Sequence, residues 1–468
     1  MSTTELSRNN DNVNPLDLGG RPSLPDVFRS IPVPKDASVW KRFLAIAGPG
    51  YMDPGNWGTD LAGGAKYGYA LLWVILVSNL MAMLLQTLCA RLGLVTGKDL
   101  AQACRDYYKK PVAIALWLLC EIAIIACDLA EVVGSAVALN LLFHLPLLVG
   151  VLITGCDVLL LLGLMRFGFR KIEAIVMVLV LTIAACFAFE IYRSQPDWGG
   201  VGRGLLIPTL PDQNALYIAL GILGATVMPH NLYLHSSIVQ TRANADTPED
   251  LKKALQYNTA DTIIALGAAF FVNAAILIVS AAVFHSHGKT SVAELQEAHT
   301  LFTPILGGAA ATVFAVALLA SGQSSTITGT LAGQIVMEGF LNITVAPWLR
   351  RLVTRTLAIV PAMVIIAASH GKDTVQILVF SQVVLSMQLS FAIFPLMVFT
   401  SDPKRMGKYA NATWLKVVGY TVCTVIAILN VYLLYQTIGL PWVAVCAAVM
   451  LTFAAWVKFF YKEPAKAV

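Results

Sequence analysis

The chain has 468 residues, of which 57% are hydrophobic and 13% are charged, and its formal net charge is +5. Soluble domains carry about 25% charged residues, so the composition excludes a string of soluble domains and indicates an integral membrane protein. The positive charge lies mainly in connections between apolar runs, which reflects membrane orientation rather than nucleic-acid binding.

Residues 1–39 are polar with little apolar periodicity, which predicts a flexible N-terminal tail. Apolar runs of about 20 residues follow, and each is long enough to cross a bilayer as a helix. We therefore predict an all-α transmembrane domain over residues 40–462 with about twelve spans. The predicted spans lie near residues 40–66, 70–97, 112–142, 147–165, 171–193, 214–240, 257–285, 305–338, 351–369, 374–400, 413–436 and 440–460.

Lysine and arginine cluster in the tail and in the connections after the even-numbered spans, whereas the alternate connections hold few. The connection after the eighth span, for example, holds Arg350, Arg351 and Arg355. Cytoplasmic loops carry this excess of positive residues. The pattern predicts a multi-pass protein of the cytoplasmic membrane with both termini in the cytoplasm.

The first span is interrupted by helix breakers over residues 48–56, which include Asp53-Pro54-Gly55-Asn56. A carboxylate at mid-bilayer costs roughly 2.5–3.5 kcal/mol on insertion scales, so Asp53 must pair, face water or bind something. It could cap the half-helix that starts at Pro54, bind a cation, or do both. Asn56 lies three residues on and can present its amide oxygen on the same side.

Three acids on the third span, Glu121, Asp128 and Glu131, are spaced by seven and three residues and so share one helical face. Acids on one face of a membrane helix favour a water-filled or proton-conducting path. The alternative is buried pairing with Arg350 or Arg351. Both interpretations stay open for Glu121, whereas the proton path is favoured for Asp128 and Glu131.

The sixth span is broken at residues 224–230, Gly-Ala-Thr-Val-Met-Pro-His. The Ala225 carbonyl loses its helical partner there, and Met228 offers a thioether beside it. Alone, Met228 would indicate packing; opposite Asp53 it indicates a ligand. Oxygen ligands suit most divalent cations, but a thioether suits soft or borderline ions and not Mg²⁺ or Ca²⁺. The half-helix ends before each break add partial negative charge toward a cation.

Histidine and glutamine complete the candidate polar set. His230 follows the second break and His235 lies five residues on, about 140° around the helix; we favour His230 as a proton relay. Gln382 on the tenth span could reach the breaks, or could hydrogen-bond to a neighbouring helix.

The eight cysteines are scattered, form no C-x-x-C pair and lie mostly within spans. A free cysteine in an apolar span behaves as a small apolar residue. We therefore expect neither disulfides nor a zinc site from them.

These motifs resemble a known family, the NRAMP divalent-metal transporters, and within it the bacterial proton-coupled manganese branch. The similarity runs over most of residues 40–436. The matching segments are Asp53-Pro54-Gly55-Asn56, Met228-Pro229-His230, Gly63–Tyr69, Asp128–Glu131 and Ala320–Ser325. Some members of this family that carry Mg²⁺ or Al³⁺ lack the methionine. Because this sequence has Met228, it resembles the transition-metal branch.

The resemblance implies a LeuT-type fold with discontinuous helices 1 and 6 and inverted repeats formed by spans one to five and six to ten. The repeats would cover residues 40–193 and 214–400, with extra helices at 413–436 and 440–460. It also implies metal ligands and a proton route. The implied ligands are Asp53, Asn56, the Ala225 carbonyl and Met228, with Gln382 in some conformations. The implied proton route holds Asp128, Glu131 and His230, and our candidate set adds Glu121, His235, Arg350 and Arg351.

We therefore expect a monomeric symporter that imports Mn²⁺ or Fe²⁺, and also Cd²⁺ or Co²⁺, together with H⁺ by alternating access. It would need no bound cofactor, and its partners would be these ions and the lipid bilayer. An intramembrane zinc enzyme is an alternative, but there is no H-E-x-x-H motif. A sodium-coupled amino-acid carrier is another; its substrate carboxylate would be repelled by Asp53.

Overall fold

The computed structural model describes residues 53–155, 169–241, 248–290, 295–296, 308–343, 347–369, 371 and 373–459. Within these ranges the chain is helical and holds no strand, which confirms the all-α prediction. The helices before the second break are α1 (Pro54–Tyr67), α2 (Leu72–Thr96), α3 (Leu100–Tyr107), α4 (Lys110–Phe143), α5 (Leu147–Gly155), α6 (Phe169–Ser194), α7 (Trp198–Leu206) and α8 (Gln213–Val227). The helices after it are α9 (Pro229–Ile238), α10 (Pro248–Val283), α11 (Gly308–Leu341), α12 (Pro347–Ala368), α13 (Thr374–Ser401), α14 (Pro403–Met406), α15 (Thr413–Ile438) and α16 (Leu440–Phe459).

Nine stretches in the described ranges are long and apolar enough to cross a membrane, with α8 and α9 forming one of them. The apolar part of α12 is shorter. The predicted tail and residues 48–52 of the first break lie wholly outside the described residues. The first and fourth predicted spans lie partly outside them. The count of twelve spans and the repeat boundaries therefore stay predictions.

The sixth predicted span is two helices, because Met228 separates α8 from α9 in a left-handed conformation with φ 46° and ψ 88°. Non-glycine residues rarely adopt positive φ. Pro229 then starts α9, where its fixed φ suits the first helical position and its missing N–H costs nothing. The break predicted from the sequence is thus present as a single residue between two helices.

The other half-helix, α1, begins at the predicted first break. Asp53 has an extended backbone and caps α1: its Oδ1 accepts a hydrogen bond from the Gly55 N–H at 3.0 Å. In return, the Asn56 Oδ1 accepts from the Asp53 N–H at 3.4 Å. This reciprocal capping box satisfies two amides that the first helical turn leaves unpaired.

The helices that carry the breaks lie in the centre of the bundle. Nearly all of α8 and α9 is buried, whereas α16 is almost wholly exposed. Helix α1 packs against α4, α8, α10 and α13, and α9 packs against α2, α4, α11 and α13. Both broken segments therefore share α4 and α13 as neighbours.

The apolar exterior of the bundle agrees with a lipid environment. Large apolar side chains are exposed along α15 and α16, among them Trp414 at 66%, Val449 at 63% and Leu451 at 71%. A soluble monomer rarely exposes such contiguous apolar surface. The described helices thus bury their polar residues and present apolar ones, as a bilayer requires.

Candidate metal site

Asp53 is fully buried at the start of α1. Its Oδ1 accepts from the Gly55 amide at 3.0 Å, and its Oδ2 accepts from the thiol of Cys127 on α4 at 3.3 Å. Each oxygen thus accepts a hydrogen bond and keeps a lone pair for a further partner. The side chain caps its helix and can still bind a cation, so the two interpretations offered by the sequence are compatible.

Asn56 lies one turn into α1 and is buried. Its Nδ2 donates to the Oδ1 of Asn273 on α10 at 3.1 Å. The amide oxygen is at the other end of the side chain, where it accepts from the Asp53 backbone N–H at 3.4 Å. Asn273 therefore fixes the orientation that a metal ligand at Asn56 needs.

The second break supplies a carbonyl and a sulfur. Because residue 229 is proline, the Ala225 carbonyl has no i+4 N–H to accept from. Met228 is 3% exposed, and its sulfur lies 3.1 Å from the Nδ2 of Asn231. Asn231 on α9 thus holds the thioether in place. Both candidate donors, Ala225 and Met228, are buried at the interruption of the helix.

Gln382 on α13 contacts both breaks, one with its backbone and one with its side chain. A Cβ atom on Gly224 would lie 2.0 Å from the Gln382 carbonyl oxygen, and a Cβ on Gly55 would lie 1.8 Å from the Gln382 Nε2. Only glycine permits the backbone approach at residue 224, whereas at residue 55 the end of the Gln382 side chain would have to move. The Gln382 Nε2 donates to the hydroxyl of Ser381 at 3.0 Å, while Oε1 is buried without a hydrogen-bond partner among the described residues.

Cys127 joins the Asp53 carboxylate to a second polar cluster. Its sulfur lies 3.3 Å from Asp53 Oδ2, 3.9 Å from Glu131 Oε1 and 3.9 Å from His230 Nε2. Sequence reasoning treated all cysteines as apolar and missed this residue. Its place directly before Asp128, and four residues before Glu131, was the signal that could have found it.

Arg355 on α12 is 1% exposed and pairs with the two inner acids of α4. Its Nη1 lies 3.0 Å from Glu131 Oε2 and 3.7 Å from Asp128 Oδ1. Ser325 and Thr326 on α11 also donate to Glu131, at 2.8 and 3.0 Å. The sequence analysis counted Arg355 as a loop charge, and that was wrong: the residue lies inside a helix, where its position within an apolar run marked it as unusual.

Glu121 has a different partner. The Arg350 Nη2 donates to both Glu121 oxygens, at 2.7 and 3.0 Å, and the Trp117 ring N–H donates at 3.0 Å. This is the pairing that the sequence analysis offered as the alternative to a proton path. The side chain of Arg351 lies outside the described residues. The three acids on α4 therefore divide into an outer Glu121–Arg350 pair and an inner group, Asp128 and Glu131, that pairs with Arg355.

Of the two histidines, His230 lies beside Cys127, at the first turn of α9. His235 is also buried, five residues farther along the same helix. The contacts thus join His230, Cys127 and the inner acids into one cluster adjoining Asp53. The arrangement provides hard oxygen donors, one thioether and a neighbouring set of groups that can exchange protons.

Comparison with known proteins agrees with these features. The profile of a family described as "Natural resistance-associated macrophage protein-like" (Nramp) matches residues 44–436. A divalent metal cation transporter MntH from a Nostoc species is 57% identical over 427 residues, which cover 89% of this chain and 97% of the relative. A transporter of the same name from Agrobacterium fabrum is 56% identical over 428 residues, covering 89% and 92%.

Solved structures give the same result for the fold. The crystal structure of a manganese transporter from Eremococcus coleocola superposes with a TM-score of 0.82 at 38% identity, covering 94% of this chain and 100% of that one. The inward-facing structure of Mhp1 superposes with a TM-score of 0.52 at 14% identity, covering 84% and 88%. The LeuT-type fold class predicted from the sequence is confirmed.

We predict that Arg355→Met destabilises the protein strongly, because it leaves Asp128 and Glu131 buried without their cation. Breaking a buried ion pair in this way costs about 3–5 kcal/mol. The matched control is Lys98→Met, whose partner Asp106 is at the surface and whose ion pair is worth about 0–1 kcal/mol. The apparent melting temperature in detergent, followed by size-exclusion chromatography, should fall by many degrees for the first variant and little for the second. Equal falls would contradict the assignment.

Proposed function

The chain belongs to the Nramp family of divalent metal cation transporters, and on that premise we propose that it is a symporter that carries Mn²⁺ or Fe²⁺ inward together with H⁺. Its named relatives are transporters and not enzymes, so the zinc-enzyme alternative falls away. The observation that supports the proposal most is the convergence of Gln382 on both half-helix breaks.

We assign the metal to the donors around the two breaks. These are the Asp53 carboxylate, the Asn56 amide oxygen, the Ala225 carbonyl and the Met228 sulfur, with the Gln382 Oε1 as a further donor. All five residues are buried, so the bound ion would leave most of its water behind. Asp53 offsets the cost of that dehydration because it supplies a full negative charge where the effective dielectric constant is low.

The sulfur provides the selectivity. Mg²⁺ and Ca²⁺ prefer shells made only of oxygen, whereas Mn²⁺, Fe²⁺, Co²⁺ and Cd²⁺ can accept a thioether. Asn231 holds the Met228 sulfur by a contact of 3.1 Å, which reduces its freedom to swing away. A hard ion at the site would therefore have the sulfur as a weak ligand, and the site would bind it less tightly than a softer ion.

The proton route is proposed for the cluster beside the metal. Glu131, Asp128 and His230 adjoin Asp53 through Cys127. A proton and a divalent cation that enter together both gain from the membrane potential, about 2.3 kcal/mol per charge per 100 mV. Inward transport by alternating access is therefore favourable in an energised cell, and we place the protein as a monomer in the cytoplasmic membrane with both termini inside.

Asp53→Ala should reduce Mn²⁺ uptake into proteoliposomes by at least about tenfold. The variant loses the only full charge among the proposed ligands. Mutation of residues that only support a metal ligand already lowers metal affinity or activity by 10- to 100-fold, so loss of the ligand itself should cost at least as much. Asp106→Asn, which removes a surface carboxylate, is the control and should leave uptake unchanged. Uptake by Asp53→Ala at the parent rate would rule out the metal assignment.

Met228→Ala should weaken the rejection of Ca²⁺ more than it weakens Mn²⁺ transport. Without the sulfur, water or another oxygen can complete a shell that suits the hard ion. The measurement is the Ca²⁺ concentration that halves Mn²⁺ uptake, expected to fall by about tenfold if the sulfur supplies about 1.4 kcal/mol of discrimination. Met406→Ala, which removes a methionine buried away from both breaks, should not change it. An unaltered selectivity in Met228→Ala would remove the sulfur from the argument.

Glu131→Gln should separate proton movement from metal binding. The variant keeps the proposed ligands but loses the carboxyl that could carry a proton past Cys127. A pH-sensitive dye trapped in the liposomes reports acidification of the lumen as Mn²⁺ enters. The rate of acidification should be at least about tenfold lower for the variant than for the parent, because a positioned acid or base accelerates proton transfer by at least this factor. Mn²⁺ binding measured by calorimetry should persist. Glu249→Gln, at an exposed site, is the control, and acidification by Glu131→Gln equal to this control would refute the route.

A further inference from the structure

A cavity lies away from the helix breaks. It has a volume of about 610 Å³ and opens between α2, α10 and the start of α15. None of the proposed metal or proton residues lines it. We call it the α2–α10–α15 cavity.

The charges in this cavity are positive. Arg91 on α2 and Lys408, just before α15, both line it, and no carboxylate of the described residues does. Neither cation has an acidic partner among the residues that the structure describes. Such a lining repels Mn²⁺ and attracts an anion, so the cavity is not a branch of the metal path.

Arg91 is held in place for such a ligand. Its Nη1 donates to the Asn411 Oδ1 at 3.3 Å, and Asn411 itself donates to the hydroxyls of Thr400 and Ser401 at 2.7 and 3.3 Å. The guanidinium has five N–H donors in a rigid fork, which suits a phosphate. One donor bonds to Asn411, and the remaining ones are available to a bound group.

The edge of the cavity is apolar and aromatic. Trp414 is 66% exposed and Ile263 is 50% exposed on the outside of the bundle, and Tyr409 lies beside Lys408 with its ring centroid 5.3 Å from Nζ. Tryptophan and tyrosine concentrate at the level of lipid headgroups. The ligand thus meets cations inside the cavity and hydrocarbon at its outer edge.

We propose that the α2–α10–α15 cavity binds one anionic phospholipid, with its phosphate at Arg91 and Lys408 and its acyl chains along Ile263 and Trp414. Basic pockets between membrane helices hold anionic headgroups in this way. A soluble anion would use the cations but not the apolar edge. The lipid would tie α10 to α15, the helix that packs on α13.

The test is native mass spectrometry of the full chain in detergent with added dioleoyl phosphatidylglycerol or dioleoyl phosphatidylcholine. One phosphatidylglycerol should be retained per chain, at least about fivefold more tightly than phosphatidylcholine. Lys408→Gln should weaken retention about fivefold, since one cation near the headgroups contributes about 1 kcal/mol. Arg91→Gln combined with Lys408→Gln should weaken it by at least about 25-fold. Lys408 is exposed, so its variant is expected to fold, and monodisperse elution verifies this.

The matched control removes two exposed cations of α10 that do not line the cavity, Lys252→Gln with Lys253→Gln. This variant should retain the lipid as the parent does. Equal losses in the control and in the Lys408 variant would overturn the proposal in favour of general surface attraction. Equal retention of the two lipids, or displacement of phosphatidylglycerol by an excess of inorganic phosphate, would also overturn it. The readout does not involve transport, so it stands or falls independently of the proposed function.

Discussion

A polar group in the interior of a membrane protein must be satisfied by the protein itself or by what the protein binds. The break at Met228 opens the Ala225 carbonyl because Pro229 has no N–H to offer. Asp53 adds a carboxylate at the other break. Asn273 accepts from the Asn56 amide nitrogen, and Asn231 donates to the Met228 sulfur. Other buried side-chain atoms have no hydrogen-bond partner among the described residues, the Gln382 Oε1 among them.

Close backbone contact is what brings the two breaks to one place. Gly224 lets α8 approach the Gln382 carbonyl, and Gly55 lets α1 approach the Gln382 amide. A side chain at Gly224 would collide with the α13 backbone, whereas one at Gly55 would displace the flexible end of the Gln382 side chain. Because α13 packs against both half-helices, a movement of α13 would change the surroundings of both breaks together. Such shared contacts let a packed bundle switch between discrete arrangements rather than deform gradually.

The sequence predicted the local features well because each has a local cause. The break at Pro229 is confirmed, and Pro54 starts α1, while residues 48–52 lie outside the described residues. Most described helix ends lie within a few residues of the predicted spans, but α10 begins at Pro248 and not near residue 257. Partners that lie far apart in the chain left no such signal. Arg355 and Glu131 are 224 residues apart, and the sequence grouped Arg355 with Arg350 and Arg351 as loop charges, although all three lie within α12. Cys127 was missed for the opposite reason, since a thiol in an apolar span fits packing equally well.

The balance of buried charge supports the proposed coupling of a metal ion and a proton. Three carboxylates, those of Asp53, Asp128 and Glu131, adjoin one another, and Arg355 is the cation that pairs with two of them. Fully ionised, the group would hold more negative charge than Arg355 compensates, and uncompensated buried charge is costly. A divalent cation at Asp53 or protons on the acids can each supply the difference. Under the proposed function, occupancy of one position would alter the affinity of the other across the Cys127 contact, and linkage requires such an effect to be reciprocal.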